Sequence, residues 1–449
     1  MNGGHPQDLG LRAQADAIAA GDLDPRELLQ ATLERIAERD GPLNSIVATF
    51  PEESERMLAA APPGPLHGVP IAIKDMFQLP WRGPRDGAPR EALPAGESGV
   101  YRALRDAGAV IVGVTQMHFW GAGSTGHVSA YGPVGNAWNA EHCGGGSSGG
   151  SATATGARLV AGAVGTDGGG SIRLPAAYNG ITGLKGTYGS ASREGYTHAN
   201  STMGAAGPMC RDAADARLLG SVLFGRDLAA GVANASGLRV GLVRSPFWDD
   251  LDPEVERACR TAVEATGWRT SEPALAGAEH AQVAAVLRLT LEGLPSLSEQ
   301  DIAEADPLTR GLVKYELLLP AHWLVRADRV RSLLRRAVAD AFASCDLLVW
   351  PTVAAPAPRI DNPTVTLPSG PIAPDAVNVR QAGIANLTGQ PGINVPVGVH
   401  SSGLPIGLQL LGPWGGEELL LDAAEHVERA TSREWVDALP PTASASAQV

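Results

Sequence analysis

The run Gly144-Gly-Gly-Ser-Ser-Gly-Gly-Ser151 is followed shortly by Gly165-Thr-Asp-Gly-Gly-Gly-Ser-Ile-Arg173, so that Ser147 and Ser171 each sit in glycine-rich backbone. Upstream, Gly68-Val-Pro-Ile-Ala-Ile-Lys-Asp75 brings an apolar run to an end at Lys74. A serine hydroxyl is a weak nucleophile near neutral pH and needs a base within hydrogen-bond reach. Lysine can be that base only when neutral, and burial beside Ile71 and Ile73 would disfavour its charged form. The predicted pKa lies roughly between 7 and 9, below the free value near 10.4. A second serine can pass a proton between nucleophile and base, because a hydroxyl donates one proton while accepting another. Three glycines directly before Ser171 let several backbone N–H groups converge where side chains would interfere, as a developing oxyanion requires.

These three motifs, in this order and spacing, resemble the amidase signature family of C–N hydrolases, and the resemblance runs from about residue 8 to 430. It implies that Ser171 is the nucleophile and that Ser147, preceded by a cis peptide bond, bridges it to Lys74. It implies oxyanion donors at the N–H groups of Gly168, Gly169, Gly170 and Ser171, with Asp167 and Arg173 bracing their loop. The loop carrying Met117, Gly121 and Ser124 is placed against the substrate. Stretches around Gly207-Pro-Met-Cys-Arg211, Pro396 and Gln409 look like family scaffold. Some positions depart from the family pattern: Gly144, Ala137 and Gly186 stand where proline is usual, and Gly168 where threonine is. Each exchange removes a stiffer residue from a loop and none removes a catalytic group.

The fold implied is α/β, a mixed central sheet sandwiched by helices in one amidase domain over residues 1–440. Within it, 1–60 is a helical segment, 61–225 the catalytic core, 230–345 a variable substrate-shaping region and 346–430 closing strands and a helix. The activity implied is hydrolysis of an amide, or of a carbamate (urethane) or ester, without metal or organic cofactor. Within the family, the alternative is the glutaminase subunit of a tRNA-dependent amidotransferase. That role needs partner subunits and groups that grip the α-carboxylate and α-amine of glutamine. No arginine–carboxylate pair suited to it stands out between residues 280 and 340.

Composition narrows the field. The chain has 449 residues, a formal charge of −13 and no long basic run, which speaks against nucleic acid as partner. Cys143, Cys210, Cys259 and Cys345 are widely spread, with neither disulfide-framework nor zinc spacing. No basic-then-apolar leader opens the chain and no apolar run reaches the roughly 18 residues of a membrane helix, so a cytoplasmic location is expected. The oligomeric state is not legible.

Coarse periodicity predicts helices across 8–60, at 97–107, 150–163, 253–265, 327–343 and 417–429, with the tail from 441 disordered. Strands are predicted at 69–73, 109–114 and 347–350, then over 386–397 and 404–412. Competing readings are weaker. Gly144-x-Gly-x-x-Gly149 fits a dinucleotide loop and Gly145-x-Ser147-x-Gly149 a nucleophile elbow, but no hydrophobic strand precedes either. An elbow would also need a histidine, and His198, His280, His322, His400 and His426 lie in no distinctive motif. His118, His127 and His142 read as polar-loop residues, and Cys143 as packing. Phe119, Trp120 and Tyr131 offer apolar surface suited to neutral, partly apolar substrates.

Overall fold

The structure is a computed structural model, which describes residues 5–89, 91–197, 201–229, 231, 235–293, 298–305 and 307–432. The tail from 441 expected to be disordered lies outside these residues.

The strands are β1 (Ile46–Thr49), β2 (Pro70–Lys74), β3 (Val110–Thr115), β4 (Gly162–Asp167), β5 (Thr182–Lys185), β6 (Ala205–Cys210), β7 (Arg239–Leu242), β8 (Arg269–Ser271) and β9 (Leu347–Pro351). A small hairpin, β10 (Val365–Leu367) and β11 (Gly370–Ile372), stands apart, and β12 (Gly392–Val399) and β13 (Pro405–Leu411) complete the set. Eleven of them form one sheet in the order β1-β3-β2-β4-β6-β5-β12-β13-β9-β7-β8. The pairs β3/β2, β2/β4, β9/β7 and β7/β8 are parallel, while the centre from β4 to β9 is antiparallel, so the sheet is mixed.

Helices cover the sheet: α1 (Leu11–Ala20), α2 (Pro25–Arg39), α3 (Pro51–Ala60), α4 (Gly99–Asp106), α5 (Gly149–Gly156), α6 (Arg173–Asn179) and α7 (Ala213–Phe224) in the first half. The second half adds α8 (Pro253–Ala265), α9 (Ala281–Gly293), α10 (Glu299–Glu304), α11 (Pro307–Glu316), α12 (His322–Phe342), α13 (Pro374–Thr388) and α14 (Glu417–Ala430). α2 starts where the sequence says it should. Asp24 accepts the Arg26 N–H as cap and Pro25 occupies the first helical position. Its Leu28, Leu29, Thr32 and Ile36 are buried. β2, β3, β4 and β9 are buried on both faces, which is why they read as continuous apolar or small-residue runs.

Three assignments change. The helical segment 8–60 is interrupted by β1, an edge strand too short to show a period. The helix predicted at 150–163 ends at Gly156, and the chain turns through Leu159 into β4, whose small residues hide its strand character. Asn386–Thr388 close α13, so the first closing strand begins only at Gly392.

Topology positions the chemistry. β2 and β4 lie side by side and parallel, in register at Ile73 and Val164. Their C-terminal ends therefore bring Lys74 and Thr166–Asp167 to one edge of the sheet. α5 opens directly after Ser148 and α6 directly after Ile172, so both serine loops run from that edge into a helix.

Candidate active site

Lys74 is fully buried at the end of β2. Its Nζ donates to three hydroxyls: Ser147 Oγ at 2.8 Å, Ser148 Oγ at 3.0 Å and Thr166 Oγ1 at 2.8 Å. Burial drives its pKa down to about 7, against the opposing pull of Asp86 and Asp167. The Gly146–Ser147 peptide bond is cis. The Ser147 hydroxyl faces Lys74, and its carbonyl accepts the His118 N–H at 3.0 Å. α5 is fastened beneath by Ser151, whose Oγ donates to the Val164 carbonyl at 3.1 Å. Gly150 allows this approach: a Cβ there would stand 2.4 Å from Ser45 O and 2.5 Å from Gln116 N.

The second loop is built around a buried ion pair. Asp167 and Arg173 are both fully buried and joined at 2.9 and 3.0 Å. Burial alone would raise the Asp167 carboxyl, but the Arg173 guanidinium and the Asn386 amide hold it far below the usual carboxylate range. Arg173 reaches further, to Asn386 Oδ1 at 2.7 Å, the Ala382 carbonyl at 3.0 Å and Gln409 Oε1. Asp167 Oδ1 also accepts the Gly170 N–H at 2.7 Å, and Oδ2 the Ile172 N–H at 3.2 Å. The Gly170 N–H is thereby committed to the loop and is not free to meet an oxyanion. The N–H groups of Gly168, Gly169 and Ser171 meet no acceptor among the described residues. Gly170 itself has φ +119°, and a Cβ there would stand 2.5 Å from Ala382 Cβ.

Ser147, Thr166, Gly168, Gly169 and Ser171 line one cavity of about 350 Å³, within the size range of small-molecule sites. Ser171 is half-buried, and its hydroxyl forms no hydrogen bond with that of Ser147 among the described residues. Catalytic hydrogen bonds of this kind commonly tighten only when substrate is bound. Apolar lining comes from Val286 and Leu289 of α9, Val313 of α11 and Val379 of α13, with Leu289 lying directly against Gly168 and Gly169.

Gly121 and Ser124 line the same cavity, with the Ser124 N–H on Asp375 Oδ1 at 2.6 Å. Met117 does not. It follows β3 closely and its side chain is fully buried in the main core. Of the three aromatics proposed for the pocket, only Trp120 reaches it; Phe119 is buried against Trp120, and Tyr131 is not on the lining. Cys143 is buried, its thiol pushed up to about 12 by desolvation, as suits a packing residue. Neither His118, His127 nor His142 lines the cavity, and no other described histidine does; His198 lies outside the described residues. Gly144 follows His142 and Cys143, which make only isolated β-bridges to Arg359 and Gly135, and no strand leads into it, which removes the elbow and dinucleotide readings.

Three neighbours of the site were hidden in the sequence. Thr166 and Ser148 complete the hydroxyl cage of Lys74, and only the pairing of β2 with β4 brings Thr166 there. Asp86, buried in a loop with φ +57°, sits behind the cavity wall and accepts the Thr197 hydroxyl at 2.7 Å.

A profile of the family described as Amidase matches residues 27–421, which is most of the chain. The chain belongs to the amidase signature family. Among curated amidase-family relatives, a glutamyl-tRNA(Gln) amidotransferase subunit from Chromohalobacter salexigens is 35% identical over 483 residues, covering 95% of this chain and 97% of that protein. Among solved structures, a crystal structure of an amidase superposes with a TM-score of 0.88 at 28% identity, covering 94% of this chain and 100% of that chain. The 6-aminohexanoate cyclic dimer hydrolase, solved with its substrate, gives 0.86 at 25% identity and covers 97% and 99%. The amidase fold and hydrolysis of C–N bonds are therefore properties of this chain. Among the described residues, no helix is long and apolar enough to cross a membrane, and no group of His, Cys, Asp and Glu could hold a metal ion.

Proposed function

We propose that this amidase hydrolyses an at least partly apolar amide that carries no carboxylate, through an acyl-enzyme on Ser171, with carbamates and esters open to the same carbonyl chemistry. The observation that carries the reading is Lys74: fully buried, shifted to about 7 and bonded to three hydroxyls, with no carboxylate as direct ligand. A lysine so placed is neutral in a large share of molecules near pH 7 and can accept a proton.

The steps follow from that placement. Ser171 Oγ attacks the substrate carbonyl carbon while its proton passes to Ser147 Oγ, and the Ser147 proton passes to the Nζ lone pair of Lys74. The C=O bond opens to an oxyanion, for which the N–H groups of Gly168, Gly169 and Ser171, which meet no acceptor among the described residues, are the donors in this reading. When the C–N bond breaks, the relay runs backwards and the leaving nitrogen takes the proton. Water then attacks the ester on Ser171 through the same relay and frees the acid. Gly170 supports this geometry through Asp167 and does not donate to the oxyanion.

A second reading has an observation in its favour, the 35% identity to a tRNA-dependent amidotransferase component. A glutaminase must hold an α-carboxylate, yet no lysine, arginine or histidine lines the cavity among the described residues. That absence speaks against a substrate that carries a carboxylate, and Trp120, Val286, Leu289, Val313 and Val379 on the walls suit a partly apolar one.

The test is covalent trapping with an aryl sulfonyl fluoride, followed by peptide mapping, beside a rate comparison of anilides, aryl carbamates and glutamine. The adduct is expected on Ser171, with anilides or carbamates turned over faster than glutamine. An adduct on Ser147 would overturn the assignment of the nucleophile. A strong preference for glutamine would favour the amidotransferase reading.

A further inference from the structure

We infer that Asp375 is a specificity-determining residue, whose carboxylate at the rim of the Ser171 cavity favours substrates with a protonated amine and disfavours those with a carboxylate. The inference rests on reading that cavity as the site of amide hydrolysis.

Two carboxylates line the cavity, Glu292 and Asp375. Glu292 is answered. Arg288 pairs with it, and its oxygens accept the Thr202 N–H and hydroxyl, each at 2.7 Å. Asp375 has no such counter-charge. Its Oδ1 takes the Ser124 N–H, and no cation lies in ion-pair contact with it among the described residues. The nearby cations are engaged elsewhere. Arg288 also bonds Asp328, Arg331 donates to the Thr202 carbonyl and hydroxyl, and Arg380 donates to the Asp250 carbonyl. Lys74 is sequestered among its hydroxyls.

The carboxylate is exposed, yet it does not swing freely. Asp375 stands in the first turn of α13, and Asn378, one turn on, donates to Ser124 Oγ at 3.0 Å and to Tyr178 Oη at 3.0 Å. One turn of α13 thus grips the loop of Ser124 at both its N–H and its hydroxyl, fixing the carboxylate relative to Ser171. A pre-positioned charge loses less side-chain entropy on binding than a mobile one. Because the site is open to water, the expected discrimination is that of an exposed ion pair, about three- to fivefold in kcat/KM.

The experiment uses three acyl anilides of equal length that end in an ammonium, a methyl or a carboxylate group. The wild type should rank them in that order, with an ammonium-to-methyl ratio of about three to five at low salt, falling towards unity near 0.5 M salt. Asp375→Asn should bring the ratio to about one, and Asp375→Glu should keep it above one. A wild-type ratio of one, or an Asn variant that keeps the preference, would overturn the inference while leaving hydrolysis of the methyl anilide intact. If no anilide acylates Ser171, the reading of the cavity fails and the inference falls with it.

Discussion

At the scale of single residues, the proposed site turns on a lysine that burial shifts towards its neutral form while hydroxyls meet its N–H groups. Desolvation lowers Lys74, while three hydroxyls satisfy its protons. Thr166→Val removes one acceptor of the charged form, so the Lys74 pKa should fall further and the rate should begin to rise at lower pH. Leaving one N–H of the ammonium unmet should also cost about 1–3 kcal/mol of stability. A pH–rate profile paired with denaturant melts checks both; an unmoved midpoint would contradict the role given to Thr166. Cys143, by contrast, should resist alkylation at pH 8, since its thiol lies at about 12 and is buried. Rapid loss of activity with iodoacetamide, traced to Cys143, would show the packing reading to be wrong.

At the scale of elements, the two loops owe their shape to contacts that no local pattern displays. Arg173→Met leaves Asp167 buried and unpaired, which should destabilise the protein by about 3–5 kcal/mol and release the Gly170 N–H from its support. Gly170→Ala meets both an unfavourable φ and Ala382, so the loop should shift and carry the neighbouring Gly169 and Ser171 N–H groups out of place, with activity down by at least about a hundredfold, as when such a donor is lost. Wild-type rates in a folded Gly170→Ala variant would contradict the geometry. The motifs themselves, the strand into Lys74 and the capped α2 were readable because each rests on residues adjacent in the chain. Met117 was set beside Gly121 and Ser124 because a loop position does not reveal that its side chain is buried away from the cavity lining. Thr166, Asp86 and Asp375 were not readable, since each acts across long separations in sequence. The glycines in place of proline also find their reason here. A Cβ at Gly144 would stand 2.7 Å from both Thr153 Oγ1 and Val134 Cγ1, and one at Gly186 would meet Ser190 and, at 2.7 Å, Phe224. Neighbouring side chains fill the space that a ring would take.

At the scale of the whole molecule, the mixed sheet buries two lysines, Lys74 and Lys185, the latter donating to the carbonyls of Gly186 and Gln390 at 2.8 Å each. Desolvation lowers both to about 7 from an ordinary 10.5. The unfolded chain then binds more protons between those values, so each lysine contributes stability that rises with pH across that window. The stability of Lys185→Met relative to wild type should therefore rise as pH falls from about 10 to 7, on top of a pH-independent cost for the two carbonyls it leaves unmet; a difference in unfolding free energy that does not change with pH would argue against a neutral buried Lys185. The central claim is that catalysis runs through neutral Lys74, and the pH dependence of acylation tests it most directly. Single-turnover acylation by the wild type should rise through a midpoint near 7 and stay high at alkaline pH, while Lys74→Ala should lose at least about a hundredfold and the midpoint with it. A Lys74→Ala variant with near-wild-type rates, or a wild-type midpoint that disappears only when a histidine is replaced, would contradict the account.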